Sequence, residues 1–268
     1  MPGKVVQVAV NELDDTVLVL AAWKRPDYFR AVLDSWGRAR WVESLRGITV
    51  ALGLSDVQNE MEQILFLAAG RYNFPPVLVT LDDTQASAAG PNRAIAEAVN
   101  RTFGRDPSCG FVIISEEDIQ VSSDVLEFLV WGRGAVGQSR ALAVCAHNAR
   151  GSGWTRDAPD DTDADQQAAR FLRTFSPWCW ATWRETWQGV IEPDWDYDLN
   201  KGPAPEQHGW DWQMQRLVER TGPVLVPDAS RCQNIGRERG VFADPDDFEW
   251  TQSRSFRENR PPMTYRLV

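Results

Sequence analysis

The sequence predicts an α/β fold, a mostly parallel sheet with helices on both faces. Three observations carry this. Short β-rich apolar runs alternate with helix-period segments through the first half of the chain, and such alternation implies a parallel sheet with right-handed crossovers. The runs are nearly continuously apolar, as strands covered on both faces must be. One of them, Phe111–Ile114, follows Gly110 and ends at Ser115 and three consecutive carboxylates, Glu116-Glu117-Asp118. Open α/β sheets bind ligands outside the carboxyl ends of their strands.

The elements follow in order. Thr16–Ala22 (TVLVLAA) is a buried strand with Trp23-Lys24-Arg25-Pro26 as its exit loop. Asp27 to Trp36 places Phe29, Val32, Leu33 and Trp36 at helical spacing. Ile48–Leu54 is a second strand, capped by Ser55-Asp56 ahead of a helix from Val57 to Ala69. Pro76–Leu81 is a third, ending in Asp82-Asp83. Gly90-Pro91-Asn92 opens a helix through Arg93, Ile95, Ala96 and Val99, with proline near its first position. After the acids a second apolar pattern begins (Ile119, Val121, Val125, Leu126, Phe128, Leu129), and Leu142–Ala146 is a further short strand.

The second half changes character. Asn148 to Asp165 is a polar loop rich in Gly, Asp and Pro, long enough for a lid or a surface excursion. Phe175 to Trp187 is dense in tryptophan, with a helix expected from near Thr182. Ile191–Pro205 reads as an acidic loop, Trp210–Arg220 as a helix and Val224–Pro227 as the last strand. The tail from Asp246 is polar and is expected to wrap the surface.

At 268 residues, 43% hydrophobic and 25% charged, the composition is that of an ordinary globular protein with a full core. A net charge of -10 argues against a protein living on nucleic-acid phosphates. Late arginines (Arg231, Arg237, Arg239, Arg254, Arg257, Arg260, Arg266) keep a local basic face open. Cys109, Cys145, Cys179 and Cys232 form no CxxC pair and read as buried free thiols in a reducing compartment. No apolar run reaches membrane-spanning length and no signal-peptide pattern opens the chain.

Common nucleotide motifs are missing, with no GxxxxGKS and no GxGxxG after the first strand, and the absence of GxSxG argues against nucleophile-elbow chemistry. His147 and His208 are too few and too far apart for a zinc site, and structural roles suit them. The three acids have two readings. They form either a hard oxygen site for Mg²⁺ or Mn²⁺ that could hold a diphosphate, or a solvated turn ahead of a helix whose N-terminus favours negative charge.

Several separated segments resemble the GT-A glycosyltransferases, most closely the β-1,2-N-acetylglucosaminyltransferase I type, over about Val17 to Gly240. Ala22-Trp23-Lys24-Arg25 is similar to that family's opening strand and loop arginine. Glu116-Glu117-Asp118 stands where the family has its acidic metal motif. Trp178–Trp187 is similar to its aromatic stretch, Trp210-Asp211-Trp212 with Met214 to its WDDWM segment, and Pro227–Arg231 with Gly236 to its RPEISR…FG segment. Glu117 at the middle motif position and Trp212 for the second Asp depart from the pattern, and the family's membrane anchor and stem are missing.

The resemblance implies one GT-A (Rossmann-like) domain over 1–268, with a nucleotide-sugar half at about 16–140 and an acceptor half at about 141–268. It implies an inverting transfer from a nucleotide-sugar, a UDP-sugar by preference, to a hydroxyl, with Mn²⁺ (or Mg²⁺) held by Asp118 and Asp211 as catalytic base. Arg25, Asp56, Asp82, Asp83, Arg93, Glu116 and Glu117 are the donor-side candidates; Trp178, Trp180 and Trp210 are the acceptor-side ones. Capping competes as a role for Asp211, Asp56, Asp82 and Asp83, and core packing for the tryptophans. The acceptor could be a glycan, a protein side chain or a hydroxymethylated base in viral DNA, the last disfavoured by net charge, and the expected location is the cytoplasm of a bacterial or phage-infected cell. A nucleotidyltransferase using the same acids and a non-catalytic carbohydrate-binding module are the alternatives.

Overall fold

Seven residues without a charge, Thr16–Ala22, form β1, buried along almost its whole length. Around it the chain builds the expected α/β architecture, a large, mostly parallel mixed sheet flanked by helices. The computed structural model describes residues 13–82, 90–137, 140–148, 164–197, 209–236 and 256–268.

The elements are β1, α1 (Pro26–Gly37), β2 (Gly47–Gly53), α2 (Gln58–Tyr72), β3 (Val77–Asp82), α3 (Gly90–Arg105), β4 (Phe111–Glu116), β5 (Ile119–Val121), α4 (Val125–Val136), β6 (Val144–Cys145), β7 (Ala168–Leu172), β8 (Trp180–Trp183), α5 (Arg184–Thr186), α6 (Trp210–Thr221), β9 (Val224–Pro227), β10 (Cys232–Asn234) and β11 (Arg266–Leu267). The main sheet runs β11-β7-β9-β6-β8-β4-β1-β2-β3, and β5 pairs with β10 in a separate ribbon. The block β4-β1-β2-β3 is wholly parallel, so its carboxyl ends share one edge.

Two apolar layers cover the sheet. Phe29, Trp36, Met61, Leu65, Phe128 and Trp131 from α1, α2 and α4 pack with Leu18, Leu20 and Ile113 on one face. Ile95, Val99, Met214 and Val218 from α3 and α6 pack with Val19, Val112 and Ile114 on the other. All four cysteines are buried and free.

The structure corrects the sequence-based elements in four places. β4 continues two residues past Ile114, so Glu116 is a strand residue and not part of a turn. The apolar pattern after the acids divides into β5 and then α4. Trp180–Trp183, expected to run into a helix, is a fully buried strand antiparallel to β4 and β6; aromatic and β-branched residues suit a pleated, packed surface better than a helix. Helix begins only at Arg184 and passes into a π-turn at Trp187–Ile191.

The fourth correction concerns the tail. Residues 256–268 do not simply wrap the surface: Tyr265 is 1% exposed and packs edge-on to Phe128, with ring centroids 5.4 Å apart. Its hydroxyl donates to Asp124 Oδ2 at 2.9 Å. Asp124 also accepts from the Ser122 hydroxyl and faces buried Arg231, whose Nε lies 2.8 Å from Oδ2 without its N–H aimed there. That contact is ionic, so the tyrosine supplies a directed bond to a buried charge, worth about 2 kcal/mol. Tyr265→Phe is expected to lower the unfolding free energy by about that amount in a urea titration.

The same cluster removes Arg231 and Arg260 from any basic face, since both are buried beside Asp124. Arg266 is bonded to Asp165, while Arg257 is exposed. Arg237, Arg239 and Arg254 lie outside the described residues, as do Asp83, His208 and most of the 148–165 loop.

Candidate active site

Side chains alternate across a strand, so the last residues of β4 are dealt to different faces. Val112, Ile114 and Glu116 point toward α6, and the Trp210 indole donates to Glu116 Oε1 at 3.1 Å. Burial first, and Asp118 second, push the Glu116 carboxyl up to about 8. Asp211 follows Trp210 in the first turn of α6, so the Trp210–Glu116 bond fastens that turn to the end of β4.

Glu117 and Asp118 form the turn after the strand and are 4% and 5% exposed. Glu117 is committed at both oxygens. Oε2 accepts from the Trp23 amide at 2.7 Å and Oε1 from Arg25 Nε at 2.6 Å, while its own amide donates to Ala21 O. It therefore staples the exit loop of β1 to the exit of β4. Arg25 is the N-cap of α1, whose first position is Pro26; its Nη1 donates to Asp118 Oδ2 at 2.9 Å. Burial opposes charge on this guanidinium, but Asp118 and Glu117 outweigh it and raise its pKa above the usual value.

Asp118 Oδ1 is buried and has no hydrogen-bond partner among the described residues. A polar oxygen left that way is costly unless something binds it. Above it lies the β5–β10 ribbon. Asn234 pairs with Ile119, the Ile235 amide donates to Asp118 O at 2.8 Å, and Gly236 passes so close that a Cβ there would overlap Asp118 Oδ2. This ribbon was not among the residues expected at the site. The signal available was Gly236, already matched to the resembled family's RPEISR…FG segment, two residues after the turn-prone Asn234.

The three acids thus do not converge on one oxygen cage. Glu117 is spent on the β1 loop, and among the described residues no three carboxylate, thiolate or imidazole groups gather around one point. A single open carboxylate oxygen still fits Mg²⁺ or Mn²⁺ bound with a diphosphate, because such ions take one or two protein carboxylates and complete their shell with phosphate and water.

Asp211 is half-buried. Burial raises its pKa above the ordinary carboxylate value, partly countered by the Trp212 amide. Its N-cap, Gly209, sits at φ +154°, and a Cβ there would overlap Asp211 Oδ1, so glycine is what lets the carboxylate lie against the helix start.

The other expected residues divide. Asp56 is exposed in the turn after β2, and Asp82 ends β3 in register with Gly53, both at the same sheet edge as the acids. Arg93 is half-buried in the first turn of α3. Trp180 and Trp210 stack on each other at 5.7 Å, at 0% and 5% exposure, and belong to the core. Trp178 is half-buried, 4.3 Å from the His147 ring at the carboxyl end of β6, on the edge the acids share. His147 Nδ1 bonds Ser176, a structural role. A separate cavity lined by Asp14, Ser44, Leu45, Arg46 and Asp106 lies at the opposite, amino-terminal end of the strands and is bridged by the Arg46–Asp106 ion pair.

No known family profile matches the chain. Among solved structures it is similar to the mannosyltransferase PcManGT from Pyrobaculum calidifontis in complex with GDP-Man and Mn²⁺, at 13% identity and a TM-score of 0.56, over 84% of this chain and 58% of that one. It is similar to residues 1–349 of TarS from S. aureus in complex with UDP-GlcNAc, at 13% identity and a TM-score of 0.56, over 88% of this chain and 64% of that one. The UDP complex of the same protein gives 12%, 0.52, 88% and 63%. The chain spans about three fifths of the length of these GT-A-type glycosyltransferases, and what it shares with them is the fold.

Proposed function

We propose that the chain is a divalent-metal-dependent, inverting glycosyltransferase that moves a sugar from a nucleotide-sugar, by preference a UDP-sugar, to an acceptor hydroxyl. The observation that carries this is the orphaned, buried Oδ1 of Asp118 at the carboxyl end of β4, beside the Arg25 guanidinium. The fold likeness to structures holding GDP-Man with Mn²⁺, UDP-GlcNAc and UDP supports it. The finer resemblance to the β-1,2-N-acetylglucosaminyltransferase I type rests on the sequence segments alone. In this proposal residues of about 16–140 hold the donor and those of about 141–268 the acceptor.

Each residue then has a task. Asp118 Oδ1 is the protein's open oxygen toward Mn²⁺ or Mg²⁺, and such an ion, when bound, supplies Lewis-acid stabilisation of the leaving diphosphate. Arg25 provides a second positive charge at the same phosphates. Asp56, in the turn after β2, and Asp82, the last residue of β3, are the candidates for the base and ribose. Asp211 takes the proton from the attacking hydroxyl, and direct attack inverts the anomeric carbon. Glu116 anchors the helix that carries Asp211. Trp178, with its ring partly open, is the acceptor-side candidate that survives burial. Loss of Arg231 and Arg260 to the interior favours a saccharide or protein acceptor over DNA. Among the described residues no helix is long and apolar enough to cross a membrane.

A panel of nucleotide-sugars with Mn²⁺, read by thermal protection and slow donor hydrolysis, tests the assignment. We expect protection by a UDP-sugar that disappears on chelation. Protection by a GDP-sugar would change the donor, and indifference to every donor and to the chelator would remove the enzyme assignment.

A further inference from the structure

We propose that Arg25 is an exchangeable counter-ion for Asp118, so that a divalent cation and a nucleotide diphosphate must bind together: the cation takes over the carboxylate and the diphosphate takes over the released guanidinium. The inference rests on the metal-dependent assignment above. Its grounds are geometric. Arg25 alone, among the described side chains, bonds both Glu117 and Asp118, at 2.6 and 2.9 Å, and it covers one Asp118 oxygen while the other is left bare. The carboxylate is nearly sealed, with 7% of its side chain exposed, and Gly236 closes over the Oδ2 side. A cation at Oδ1 must therefore share a poorly hydrated space with a fixed positive charge, and like charges in such surroundings repel far more than in water.

The repulsion has one relief. The Arg25 backbone is held as the N-cap of α1, with its carbonyl accepting from the Phe29 amide at 2.9 Å, so only the side chain can turn. A guanidinium turning off Asp118 needs a new anion, and a planar fork of donors matches phosphate oxygens. Glu117 remains as the pivot: its bond to the Trp23 amide does not involve Arg25 and keeps the loop in place. Cation alone meets the guanidinium; cation with diphosphate does not. The two ligands are thus coupled through this side chain in addition to the cation's own bonds to phosphate, each raising affinity for the other by the same factor.

The free Mn²⁺ signal in electron paramagnetic resonance, referred to a protein-free titration that accounts for the Mn–UDP complex, measures this without turnover. In the unaltered protein, saturating UDP is expected to tighten Mn²⁺ binding at least about tenfold, while uridine leaves it unchanged. Arg25→Gln removes the charge. Its Mn²⁺ affinity without nucleotide is expected to rise about tenfold, and the UDP effect to fall about tenfold below the parent's, leaving what the direct cation–phosphate bonds supply. Arg25→Lys, which can reach one acid but cannot span two, is expected to fall between, and it decides the matter if the Gln variant does not fold. Mn²⁺ affinities and a UDP effect like the parent's in the folded variants would overturn the exchange while leaving the metal site standing. Failure of the parent protein with UDP to hold Mn²⁺ any better than an Asp118→Asn variant would overturn both.

Discussion

Asp118→Asn is expected to lower sugar transfer by about 10³-fold in kcat/KM, near 4 kcal/mol of transition-state stabilisation. The fold should survive the change. Asn keeps an oxygen toward Arg25 Nη1, and the Asp118 main-chain bond from the Ile235 amide is untouched. What is lost is the negative charge on an oxygen that nothing else among the described residues satisfies. Thermal melting should therefore be close to that of the parent without ligands, while the chelator-sensitive protection by Mn²⁺ and donor disappears. Equal protection in the variant would show that the cation binds elsewhere, and a large drop in ligand-free melting temperature would show that Asp118 serves the fold through Arg25.

Asp211→Asn is expected to cost 10²–10⁴-fold in turnover, about 3–5 kcal/mol, with donor affinity and metal protection retained. The pH dependence separates a base from a helix-start acid. Burial raises the folded pKa of Asp211 above its ordinary value, so the carboxylate keeps its proton to a higher pH than an exposed aspartate would. The base form is then lost as pH falls through that raised value, and kcat should decline on the acid side in the parent. In the variant the residual rate should be flat across the same window. An acid limb of unchanged position in Asp211→Asn would assign proton transfer to another group.

Much of the first half was legible because its strands are apolar on both faces and its helices carry clear 3.6-residue spacing. β1 matches the expected span residue for residue, and β2, α1 and α6 fall within a residue or two. The second half was harder for a physical reason. β6, β10 and β11 contribute only two or three residues each to their pairings, too few to show a period. β8 was masked by its length: over four residues the aromatic and β-branched preference for a pleated surface is too weak to identify a strand until the partners β4 and β6 are known. At the site, three adjacent acids were visible but their division of labour was not. It depends on which way each side chain leaves the end of a strand, and on the β1 loop 90 or so residues earlier offering its amide and its arginine to Glu117. The late arginines show the same limit: their charge suggested a surface, yet an aspartate buried in the core claims two of them.

The position of Tyr265 bears on how the chain comes to be folded in a cell. Asp124 opens α4 not quite halfway along the sequence, yet the hydroxyl that satisfies it comes from residue 265 and its cationic neighbours from 231 and 260. During synthesis α4 emerges before these partners, with the neighbouring Ser122 hydroxyl able to donate to its aspartate but the tyrosine and the arginines still to come. The early strands can collapse first, but the docking of α4 is complete only when partners distant in sequence have closed around Asp124.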